Sequence, residues 1–160
     1  LASDGFGFIN SYNTEMAVGG TLEDPKQALE STSIANDFDF MHVIDWKKAA
    51  AVVEGGGAVD MNGMQMIRLD VAVSEGLIDL VPEPRNPHGV DVSPTGDYIV
   101  VSGKLDPHAS VFSAEKVKAA IEAKDYDGTD EFGVPILTMA SCLEAQVELG
   151  NGPLHSQFDD

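Results

Sequence analysis

Short strands set off by turns, and two segments that each recur after nearly the same interval, predict an all-β fold with short helices. Its units resemble the blades of a β-propeller. Residues 43–54 (VIDWKKAAAVVE) align with residues 111–122 (VFSAEKVKAAIE) at an offset of 68. Residues 87–94 (PHGVDVSP) align loosely with 153–160 (PLHSQFDD), which sets His88 and His155 67 residues apart. That period is longer than the roughly 40–45 residues of a common blade. Each unit therefore needs an insertion, which the helix and loop after its third strand would supply.

In chain order, residues 6–12 (FGFINSY) suit a short strand, and the polar, turn-rich residues 19–37 suit a surface wrap. Residues 38–45 alternate as a strand, with Phe38, Phe40, His42 and Ile44 on one face. Residues 46–54 follow as a short helix, stopped by Gly55, Gly56 and Gly57. Residues 58–69 form a hairpin about Asn62-Gly63, a pair suited to a two-residue turn whose central positions both need positive φ. Residues 77–81 make another strand, closed by Pro82 and Pro84. Val90 and Val92 alternate with Asp91 and Ser93 before the turn 93–96; strands at 98–102 and 109–113 follow. Residues 114–123 complete the pattern as a helix with Ser113 as N-cap.

The chain has 160 residues, 43% of them hydrophobic, which suits one domain and not two. Nine Lys and Arg stand against 27 Asp and Glu, a formal net charge of −18. Such a field repels nucleic acid and anionic membranes, and it is compatible with high salt or a cationic partner. The single cysteine, Cys142, excludes an intrachain disulfide and a thiolate zinc cluster, and a small buried hydrophobe is the role it suits. No apolar run reaches the length of a membrane span, and no signal peptide is legible in this stretch. Both ends fall inside strand-like patterns, so the sequence reads as a cut through a larger domain, about two to three blades long.

Four histidines, His42, His88, His108 and His155, lack the close spacing of a local zinc motif. In a propeller, however, equivalent positions of successive blades converge on one axis. His88 and His155 each follow a proline-containing turn and recur in register, and imidazole suits copper or another late first-row metal. Packing of the two turns is the alternative. His42, on an apolar strand face, suits a structural role, and His108 a surface loop.

Residues 86–96 (NPHGVDVSPTG), with Ser102-Gly103-Lys104-Leu105 after them, resemble the copper-site blade of the nitrous-oxide reductase family. Residues 152–159 (GPLHSQFD) are similar to that family's next histidine motif, in the same order and about one blade on. The resemblance covers essentially the whole chain. It implies that residues 1–160 are part of a seven-bladed propeller, with a C-terminal cupredoxin domain outside this sequence. By resemblance His88 and His155 are catalytic, two of seven histidines on a tetranuclear copper–sulfide cluster. The missing domain would hold a binuclear copper centre with cysteine ligands, to which Cys142 does not correspond. A calcium site is implied at Tyr12, Glu15 and Asp39; the family's methionine has no counterpart, Ser33 standing in its place, and Asp37 could replace Asp39. Asp91, Asp159 and Lys104 are candidates to support the site, since a carboxylate that accepts an imidazole N–H orients the ring.

The resemblance further implies two-electron reduction of nitrous oxide to dinitrogen and water. It implies a periplasmic or otherwise exported homodimer, supplied with electrons by a cytochrome c or a cupredoxin. Neither nucleic-acid binding nor membrane insertion is expected. With two of seven ligands, the 160-residue chain alone is expected to bind copper weakly and not to turn over. A non-catalytic propeller scaffold and a lactonase-like propeller with one central metal are the rival readings.

Overall fold

The computed structural model describes residues 3–10, 39–104, 106–150 and 152–159. Tyr12, Glu15, Ser33, Asp37 and the expected surface wrap lie outside the described residues. Two strands open the described chain: β1 (Phe6–Asn10) and β2 (Phe40–Asp45). After them come α1 (Trp46–Glu54), the hairpin β3 (Val59–Met61) and β4 (Met64–Met66), α2 (Leu69–Ser74) and β5 (Ile78–Pro82). A second series runs β6 (Pro87–Val92), β7 (Tyr98–Gly103), β8 (His108–Ser113) and α3 (Ala114–Ala123). It continues through β9 (Tyr126–Thr129), β10 (Pro135–Leu137), α4 (Met139–Cys142) and β11 (Leu143–Glu148).

The fold is mixed α/β, not all-β, because the insertion after β2 and the one after β8 each carry two helices around a hairpin. The repeat is visible in that order: strand, helix, hairpin, short helix, strand, twice. β2 and β8 begin exactly 68 residues apart, as do α1 and α3. Both long helices open on side-chain caps, Asp45 accepting from the Lys48 N–H and Ser113 from the Lys116 N–H. Asn62 and Gly63 both have positive φ, as the tight hairpin turn requires.

Three sheets result. One has the order β1-β2-β5-β10-β9, another β11-β8-β7-β6, and β3-β4 stand by themselves. All pairings are antiparallel except β10 with β5, where Ile136 lies opposite Leu80 in parallel. A core cluster joins Met41, Val43 and Val81 of the first sheet to Ile99, Val101 and Phe112 of the second. Val117 and Ala120 of α3, with Leu137 and Cys142, belong to the same cluster. Removing side chains the size of Phe112 from water stabilises by about 1.5–3 kcal/mol each.

Two expectations change here. The buried face of β2 is that of Met41 and Val43, while Phe40, His42 and Ile44 on the other face are only half-buried. Alternation shows that a strand has two faces, but not which of them the second sheet covers. His108 opens β8 and is half-buried, not in a surface loop; its Nδ1 lies 3.0 Å from Asp106 Oδ1. Among the described residues no helix is long and apolar enough to cross a membrane.

Candidate functional site

β6 begins at Pro87, held by a tight approach of its flanks. Asn86 is buried with positive φ, and its N–H donates to the buried Asp39 carboxylate at 2.9 Å. Its carbonyl accepts from the Lys104 N–H at 2.9 Å, which ties the start of β6 to the end of β7. Gly103 is required there, since a Cβ would overlap the Arg85 carbonyl oxygen and lie 2.8 Å from Pro84 Cβ. His88 is thereby set on an exposed strand start with a braced backbone behind it.

Residues 152–159 return across this strand and bring His155 to His88. The Nδ1 of His88 is 3.2 Å from the Nε2 of His155, and the two rings meet edge to face with centroids 4.9 Å apart. Behind His155, Asp91 acts on two groups. Its Oδ1 lies 3.3 Å from His155 Nδ1, and its Oδ2 accepts the Ser156 N–H at 2.7 Å. Gly89 makes this crossing possible, because a Cβ would overlap the Leu154 carbonyl oxygen and lie 2.8 Å from His155 Nδ1.

The chemistry follows from donors and acceptors. With Asp91 accepting the Nδ1 proton, neutral His155 presents Nε2 as a lone pair. His88 faces that lone pair with Nδ1, so the two nitrogens either share a proton or converge on one cation. Two nitrogen ligands at about 2.0 Å from one tetrahedral metal stand about 3.3 Å apart. The spacing observed here fits that arrangement.

Of the expected supporting residues, Asp91 touches His155, and Lys104 reaches the site only through its backbone link to Asn86. Asp159 is exposed, and no hydrogen bond joins it to either imidazole among the described residues. Asp39 is buried beside the start of β6, where its contact with Asn86 sets it next to the histidine segment. Asn86 and Gly89 were not legible as site residues. Their roles come from a positive φ and from a strand that crosses only in three dimensions. Among the described residues no group of three or more His, Cys, Asp or Glu side chains is gathered to hold a metal ion.

The other titratable groups sit in the body of the fold. Burial lowers the pKa of His42, opposed by Asp130, so it is a neutral structural imidazole. Burial, with Asp125 and Asp79 nearby, pushes the Cys142 thiol up to about 12, which leaves it unreactive. Asp79 is raised by burial, while the Tyr126 hydroxyl that donates to it is itself pushed up to about 12.

No family model matches the chain. Its sequence is 28% identical over 160 residues to nitrous-oxide reductase of Stutzerimonas stutzeri, an alignment covering 96% of this chain and 22% of that protein. The nitrous-oxide reductase of Ralstonia nicotianae is 30% identical over 94% of this chain and 21% of its own length. That of Cupriavidus necator is 39% identical over 79 residues, 49% of this chain and 11% of its own. The chain spans about a fifth of the full-length relatives it matches end to end. It is distantly related to the nitrous-oxide reductase family.

Proposed function

We propose that this chain is a two-unit section of a seven-bladed propeller, and that His88 and His155 are two imidazole ligands of a catalytic copper centre. The observation that carries this reading is the 3.2 Å approach of two imidazole nitrogens, one ring oriented by Asp91, within segments alignable to nitrous-oxide reductases. The residues present fit one edge of a ligand set and not a complete one. The remaining ligands of a copper–sulfide cluster come, in this reading, from outside the chain.

When bound, such a cluster supplies electrons to nitrous oxide, giving dinitrogen and water from two electrons and two protons. The chain's own part is to position. Asp91 holds the His155 proton on Nδ1 and keeps Nε2 available as a donor. The Ser156 N–H on the same carboxylate fixes the backbone that carries the ring. Gly89 lets the crossing strand lie close enough for the two imidazoles to meet. Asp39 offers the hard oxygen that calcium takes, with Tyr12 and Glu15 as its proposed partners. The working protein is then an exported, periplasmic homodimer that receives electrons from a cytochrome c or a cupredoxin through a binuclear copper centre in a further domain.

The test is substitution in the full-length dimeric protein that carries this segment. His88→Ala and His155→Ala should each lower cluster copper and abolish nitrous oxide reduction, with the binuclear centre's spectrum retained. Asp91→Asn should retain partial copper and reduce it about 10–100-fold in affinity, the usual cost of losing a carboxylate behind a ligand histidine. Full copper and activity in both histidine variants would rule the reading out.

A further inference from the structure

The chain contains its own template for joining one unit to the next. β10, from the second unit, pairs in parallel with β5, the last strand of the first. Beside that contact Leu137 is fully buried among Met41, Val43 and Val81, and Tyr126 packs against the same cluster. The first unit has a hairpin at the same place in its element order, but the corresponding face is bare. Pairing of Val59 with Met66 and of Met61 with Met64 puts these four side chains on one face of β3-β4. They are 42%, 40%, 46% and 69% exposed, respectively. The opposite face is polar, with Gln65 donating to Asp60 at 3.3 Å.

At the other end of the molecule, β11 is the second unit's counterpart of β5 and forms the edge of its sheet. Val147 pairs with Ala109 on β8 as Val81 pairs with Met41 on β2. Val81 is 0% exposed and Val147 45%. Leu149, just beyond β11, is exposed as well. Thus a ribbon with one apolar face and an open strand edge are both present, and within the chain their counterparts are joined to each other.

We propose that the β3-β4 hairpin of one copy docks on the β11 edge of a second copy of this chain, β4 running parallel to β11 as β10 runs parallel to β5. The contact joins two different patches, so it is heterologous, and each added copy presents a fresh hairpin and a fresh edge. Growth is head-to-tail. Two copies at −18 each repel, so salt strengthens the association by screening that repulsion. Neither patch includes His88 or His155, so failure here leaves the copper reading untouched, and the converse holds too.

The test is the mass of the full chain, by sedimentation or light scattering, against concentration and salt. The wild type should form a ladder of masses that rises with concentration and more steeply in high salt. Met66→Asp on the hairpin and Val147→Asp on the edge are both exposed substitutions that the fold tolerates. Each alone should weaken association at least about tenfold, the effect of placing a charge on a buried anchor. Mixed in equal amounts they should form dimers and nothing larger, because one intact hairpin meets one intact edge and neither end can extend. Met66→Leu should associate as the wild type does. A wild type that stays monomeric in high salt, a single variant that still associates like wild type, or a mixture without dimers would each overturn the proposal.

Discussion

The hairpin β9-β10 is built into the sheet of the preceding unit, whereas β3-β4 forms a two-stranded sheet of its own, although each follows the same strand and helix in its unit. The difference extends to the helices before them. α3 buries Ala114, Val117 and Ala120, while α1 buries no residue. Local sequence therefore makes the same elements twice, and the neighbour available to each decides whether they become core. Strand pairing and burial are properties of the junction between units, and the hairpin is the part of the insertion that makes the junction.

Substitution on the two hairpins separates these contributions. Leu137→Ala should cost about 2–5 kcal/mol in urea unfolding, as expected for a fully buried leucine. Met66→Ala, on the exposed hairpin, should cost about 0.5 kcal/mol or less in dilute monomer. Equal losses would break the comparison. Next in size is Tyr126→Phe, which strips a hydroxyl from the buried Asp79 carboxylate and should cost about 1–2 kcal/mol. Asp79→Asn sharpens the point through its pH dependence. Burial raises the pKa of Asp79 in the fold, so the folded protein binds its proton more readily than the unfolded chain does. Ionised Asp79 thus weakens the fold at neutral pH, and that penalty fades as pH falls through the raised pKa towards 3.8. The variant should therefore gain most over wild type at neutral pH, with the gain shrinking in acid, as read from unfolding midpoints across pH. The smallest difference lies at the helix caps. Asp45 accepts from Lys48 N at 2.9 Å and Ser113 from Lys116 N at 3.4 Å. Asp45→Ala should cost about 1 kcal/mol, and Ser113→Ala somewhat less, by the same measurement.

Much of the local structure was legible in the residues. The Gly55 stop, the Asn62-Gly63 turn and the Ser113 cap each name their element by a chemistry that acts within a few positions. The 68-residue repeat was legible because the helices carry it in sequence. The strands of residues 126–148 were not, since Tyr126–Thr129 and Pro135–Leu137 hold few apolar residues in alternation and gain their pairing from β5, more than 50 residues away. Which face of β2 is inside was likewise unreadable, because the second sheet decides it. At the site, the two histidines stood out by their recurrence, and Asp91 by its spacing behind one of them. Asn86 and Gly89 did not, because backbone conformation and a close crossing leave no mark in composition.

The parallel pairing of β10 with β5 has a consequence for how the chain is made. Leu80 and Ile136 are 56 positions apart, so a ribosome adding about 5–20 residues per second leaves the β5 edge uncovered for roughly 3–11 s after it emerges. During that interval the first sheet presents an open edge and an unfilled place for Leu137, the state in which strands pair with the wrong neighbour. The first unit is thus completed only by the synthesis of the second, and its nascent form is the one that a chaperone would need to shield.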